Sequence, residues 1–189
     1  MAKETNEGLP SSGVYYKPAD RGNLFHGQTA VTGVAPGTAV GTTAAHALYN
    51  PLSSHKKLVI SKAFMSYVSG TLGIGQVQWV AHDDPNQAAI TGTAIVPVSG
   101  RVGDGDVPVG KLFTTATVPT GGKVFRPFTN LPPMLASSVN TPWRVEDNVD
   151  GAIVLIPGVG VSLQATAGAG TTPLVIFGMQ WEEIPILTG

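Results

Sequence analysis

No stretch of this chain repeats its apolar residues at the spacing of an amphipathic helix over a useful length. The periodicity it carries is the alternation of β-strands, cut into short pieces by 24 glycines and 15 prolines. Thr, Ser, Val and Ala fill much of the remainder, a mixture that favours strands and turns over helices. At 189 residues the chain fits one domain with a sizeable core.

The clearest strands lie towards the C-terminus. Val161, Leu163, Ala165 and Ala167 alternate with Ser162, Gln164 and Thr166, and Leu174–Glu183 puts Val175, Phe177, Met179 and Trp181 on one face. Earlier, Val77, Trp79 and Ala81 alternate with Gln76, Gln78 and Val80. Trp79 and Trp181 therefore read as core. In Leu58–Val68 the apolar positions change parity, from Leu58 and Ile60 to Ala63, Met65 and Tyr67, which predicts a β-bulge near Lys62.

Leu24–Val34 and Ala39–Tyr49 are weaker strand candidates. Leu112–Val118 and Lys123–Phe128 flank Pro119-Thr120-Gly121-Gly122, a hairpin signal. Ala152–Ile156 is apolar on both faces. A sandwich strand needs only one apolar face, so the second face should lie under another segment or a neighbouring subunit. Residues 87–110 read as an insertion with one short strand at Ala94–Val98, and Leu131–Ser138 has room for a single helical turn. Residues 1–22 read as an extended, polar N-terminal arm in which Tyr15 and Tyr16 precede Pro18. Such an arm is held in place by contacts within an assembly. The expected fold is all-β: an antiparallel β-sandwich, in jelly-roll form, over residues 23–189.

Charged residues make up only 12% of the chain, and the net charge is -1. Nucleic-acid binding needs clustered Lys and Arg, and neither His55-Lys56-Lys57 nor the scattered Arg101, Lys123, Arg126 and Arg144 forms a patch. Without cysteine there is no disulfide, thiolate metal site or cysteine nucleophile. The first residues lack the apolar core of a signal peptide, and the longest apolar run, Ala152–Val161, is broken by Pro157. The expectation is a soluble protein made in a cytoplasm. A surface this poor in charge suits a chain whose faces are covered by neighbours.

Three acidic clusters invite a test for chemistry. His82-Asp83-Asp84 runs into Pro85-Asn86 and reads as a turn, since adjacent strand residues point to opposite faces. Glu146-Asp147-Asn148-Val149-Asp150-Gly151 opens like a calcium loop, but Pro157 stands where the bidentate acid belongs. A surface calcium site at Asp147 and Asp150 stays open, beside the reading of Asp150-Gly151 as a tight turn. Gly103-Asp104-Gly105-Asp106 reads as a loop. His26, His46 and His55 have no matching acid and serine, and no Gly-x-Ser-x-Gly or His-Glu-x-x-His motif occurs. No catalytic residue, cofactor or resident metal is expected.

The chain resembles a group of small virion proteins of tailed phages over roughly residues 40–185. The residues that carry the likeness are Thr114-Thr115-Ala116-Thr117, Arg126-Pro127-Phe128, Pro142-Trp143 through Asp150-Gly151, Val161 to Ala165, Pro173-Leu174-Val175, and Phe177-Gly178-Met179-Gln180-Trp181-Glu182-Glu183. These are packing and turn signatures. The resemblance implies a jelly-roll subunit, usually a homotrimer, displayed on the virion as a capsid decoration (cement) protein. Its partners would be its own copies and the major capsid protein, with no nucleic acid and no membrane. The residues expected at subunit or capsid contacts are Tyr15, Tyr16, Trp143, Ile153, Val154 and Leu155. Trp143 could instead anchor a loop. The competing expectation is a carbohydrate- or receptor-binding β-sandwich module on a phage tail or head appendage.

Overall fold

The computed structural model describes residues 15–134, 143–167 and 170–186. One short helix and eleven strands follow in chain order: α1 (Tyr16–Asp20), β1 (Leu24–Gln28), β2 (Thr43–Tyr49), β3 (Lys56–Ser69), β4 (Gly75–His82), β5 (Thr91–Ile95), β6 (Val98–Ser99), β7 (Lys111–Thr117), β8 (Lys123–Leu131), β9 (Arg144–Leu155), β10 (Gly160–Ala167) and β11 (Leu174–Pro185). They form two antiparallel sheets packed face to face, ordered β6-β1-β11-β3-β9 and β5-β7-β2-β10-β4-β8. The expected antiparallel β-sandwich is the fold.

The alternating residues meet between the sheets. Phe177, Met179 and Trp181 of β11 and Ile60, Ala63 and Met65 of β3 pack against Val77 and Trp79 of β4 and Val161 and Leu163 of β10. Burying each large side chain contributes about 1.5–3 kcal/mol before entropy is subtracted. The predicted bulge is present: the pairing of β3 with both β11 and β9 slips between Ile60 and Lys62. One extra residue, Ser61, restores Ala63 and Met65 to the core face.

Several boundaries differ from the sequence reading. β1 stops at Gln28, and Val34 makes only an isolated bridge to Val175. β2 begins at Thr43. The apolar run Ala152–Ile156 is the second half of β9, which carries Asp150 and Gly151 at positive φ inside the strand, a bulge in place of a turn. The expected helical turn at Leu131–Ser138 lies largely outside the described residues, though Leu131 closes β8 and Met134 bridges Leu72. Residues 1–14 of the expected arm also lie outside them. Tyr16–Asp20 is helical, which corrects the extended reading of that segment.

The supposed hairpin of residues 112–128 is not one. β7 pairs with β2 and β5, whereas β8 pairs with β4 at the opposite edge of the same sheet. Gly121 turns the chain at positive φ, and Gly122 serves close approach: a Cβ on it would sit 2.8 Å from both His82 and Val80. Pro127 is tolerated in β8 because β8 is an edge strand.

The insertion, residues 87–110 between β4 and β7, is anchored on the sandwich. Ile90 crosses the outer face of the six-stranded sheet and packs with Ala47, Ala116 and Val118. Two strands, β5 and β6, stand where one was expected, separated by Val96-Pro97, and they extend different sheets. The return of the insertion is pinned by Glu183, fully buried, whose carboxylate accepts from the Gly110 N–H at 2.9 Å and pairs with Lys56 at 2.9 Å. Replacing Glu183 with Ala should cost about 2–3 kcal/mol, chiefly from stranding the buried Gly110 N–H. Glu183→Gln, which keeps an acceptor, should cost less. Urea unfolding of both variants checks the order, and equal losses would remove that explanation.

Candidate interaction surfaces

Because only two residues separate β5 from β6, these strands end the two sheets on the same side of the sandwich. This flank carries Val96, Val98, Val102 and Val107, exposed by 58–86%. Beside them the chain is locally saturated: Arg101 pairs with Asp104 at 3.2 Å, and a hydrogen bond with Asp104 holds the Asp106 carboxyl above its ordinary range.

The opposite flank is made by β8 and β9. One half is tied shut by Asp147, which accepts from the Trp79 indole N–H at 2.9 Å and from Arg126 at 2.5 Å. The other half is apolar and open. Phe125 of β8 and Val154 of β9, 47% and 46% exposed, face one another there, while Val124 and Ile156 stand exposed on the outer faces of the two sheets. A shallow groove of about 240 Å³, lined by Ala81, Phe125, Ala152 and Val154 among others, runs between the strands.

The residues expected at contacts sort by parity. Ile153 and Leu155 are buried core, which corrects their assignment as contact residues; the outward set is Ala152, Val154 and Ile156. Among the described residues neither α1 nor the insertion covers that second face, where Val154 and Ile156 are half-exposed. Trp143 packs against the core, anchored where its carbonyl accepts from the Tyr67 N–H. Tyr15 lies on the outer face of the five-stranded sheet, donating to Asp150 at 2.5 Å with the Lys62 ammonium 5.5 Å from its ring. That hydrogen bond, with burial and the Asp150 charge, pushes the phenol up to about 12. Tyr16 is exposed. The insertion valines and Phe125 escaped the sequence reading. Their only signal was apolar residues in Gly-, Pro- and Asp-rich segments with no alternation to explain them.

The clusters tested for chemistry resolve into structural roles. Asp83 pairs with Lys123 at 2.8 Å, and Asp84 accepts from the Asn86 N–H at 2.8 Å, which makes a turn. His82 turns inward, its Nε2 2.9 Å from Ser162 Oγ, itself an acceptor from Gln164. This Ser–His pair is buried under the insertion, and the His82 Nδ1 meets no acid. Asp147 and Asp150 engage different partners, and among the described residues no three His, Asp or Glu side chains converge as metal ligands. Trp79 and Trp181 are core, as expected. A concavity of about 500 Å³ around residues 34–45 is lined by small residues with Thr115 and Gln164, with no charged or aromatic side chain.

Among the described residues no helix is long and apolar enough to cross a membrane. Comparison with protein-family models, curated proteins and solved structures found no match.

Proposed function

We propose that this chain is a structural protein of the tailed-phage virion, a decoration (cement) protein that self-associates and binds the outer surface of the capsid, stabilising the head. The observation that carries the reading is a sandwich whose core is already complete, yet whose two flanks both present apolar side chains to solvent. Scattered single residues need no explanation, but exposed apolar side chains gathered on one flank, as Val96, Val98 and Val107 are, favour a contact surface. The strand connectivity supports it too. With β5, β6 and β7 set aside, the remaining strands run β1-β11-β3-β9 and β2-β10-β4-β8. The chain changes sheet at every step except from β4 to β8, the connectivity of a jelly roll. The competing carbohydrate module lacks support, since two tryptophans are core and the third packs against it.

The test is sedimentation with capsid shells of the encoding phage from which decoration has been stripped. The protein should pellet with the shells, saturate at a fixed copy number and raise their disruption temperature. Protein left in the supernatant at micromolar concentration contradicts the reading, and capture by host-surface polysaccharide instead favours the carbohydrate module.

A further inference from the structure

Resting on the reading of this chain as an assembly subunit, we infer that its copies associate head to tail, the β5–β6 flank of one against the β8–β9 flank of the next. Each flank ends both sheets of the sandwich, so each presents two unpaired strand edges one sheet spacing apart, about 10 Å. A second copy of this chain offers two edges at that same separation, with an apolar strip beside them. On one side stand Val96, Val98, Val102 and Val107; on the other, Phe125 and Val154 line one shallow groove between the strands.

Edge strands left open are normally guarded by unpaired charge or a covering segment. Here the charges beside the strips are already engaged within the chain, as Arg101–Asp104, Lys123–Asp83 and Arg126–Asp147. Closing the flanks together leaves these three ion pairs intact. Apolar patches of a few hundred Å² are near the largest that monomers expose, and polar rim residues supply the rest of a standard interface.

Symmetry decides between the two ways of pairing. A twofold contact of one flank with itself leaves the other flank bare in every copy. A head-to-tail contact covers both, and closes into a ring when the rotation between neighbours divides the circle.

The experiment is native mass spectrometry of the full chain, with circular dichroism confirming that each variant is folded. One variant carries Val96→Asp and Val107→Asp; the other carries Phe125→Asp and Val154→Asp. All four positions are solvent-exposed, and Phe125→Ser serves as a milder second substitution, expected to weaken association at least about tenfold. Wild type should be oligomeric and each variant monomeric. Mixed at equal concentration, with one isotope-labelled, the two variants should form a heterodimer and nothing larger, because each retains one intact flank. Variants that keep the wild-type mass overturn the inference while leaving the assembly reading standing on another surface. One variant that keeps the wild-type mass while the other turns monomeric indicates a twofold contact of the flank it retains and overturns the inference, as does a mixture that stays monomeric. A monomeric wild type overturns it outright, and capsid sedimentation then decides the assembly reading separately.

Discussion

As pH falls below about 6.5, this protein is expected to lose stability by up to about 1.4 kcal/mol per pH unit more than a variant lacking His46. His46 sits on the core face of β2, fully buried and stacked on Phe177 with ring centroids 6.3 Å apart. Neither ring nitrogen has a hydrogen-bond partner. Burial, opposed only in part by the Phe113 backbone, holds its pKa down to about 3. The unfolded chain thus takes up a proton near pH 6.5 while the folded chain does not, so the stabilising effect is complete above that pH. It drains away as acid pulls the equilibrium towards the protonated, unfolded form. His82 is shifted in the same direction by burial. The comparison is sharpest between pH 6.5 and 5, where carboxylates remain ionised. His46→Leu should match or exceed wild-type stability at neutral pH, since an unpartnered polar ring gives way to an apolar side chain. Its stability should then fall more gently on acidification. Parallel pH profiles for the two proteins would show that His46 is protonated in the folded state after all.

Substituting Asp147 with Ala is expected to cost about 2–4 kcal/mol and to lower the melting temperature by roughly 5–15 °C. The side chain joins the two sheets at the β8–β9 flank. The larger part of the loss comes from Trp79, whose buried indole N–H would have no acceptor, at about 1–3 kcal/mol. The partly exposed Arg126 pair adds the smaller part, because the guanidinium can regain water. Asp147→Asn keeps an oxygen for the indole and should recover most of the stability. Combining Asp147→Ala with Trp79→Phe should cost less than the sum of the two single changes, since no N–H is then left stranded. Thermal unfolding of the four variants tests this. Strict additivity would mean that the hydrogen bond carries no weight.

The sandwich was legible because its strands are half-buried, and half-burial writes itself as alternation. Val175 through Trp181 and Val161 through Ala165 show this, and the parity change at Ser61 even exposed a bulge. What alternation cannot reveal is pairing. Pro119–Gly122 has hairpin composition, yet Gly122 is small because His82 and Val80 crowd it, and β7 and β8 on either side are separated by β2, β10 and β4 in one sheet. Nor could composition tell which face of Ala152–Ile156 was inside, since both are apolar; burial of Ile153 and Leu155 leaves Val154 and Ile156 outward. The β5–β6 flank was hidden for a third reason. Val96, Val102 and Val107 lie outside the strands, so no periodicity marks them, and they are significant only because the fold gathers them on one side.

The most direct test of the account is electron cryomicroscopy of the capsid with this protein bound. β-Sandwich density is expected on the outer shell surface in groups of touching copies, with the Val96–Val107 flank of one copy against Phe125 and Val154 of the next. Density confined to the tail, or isolated copies on the shell with both flanks in solvent, would contradict it.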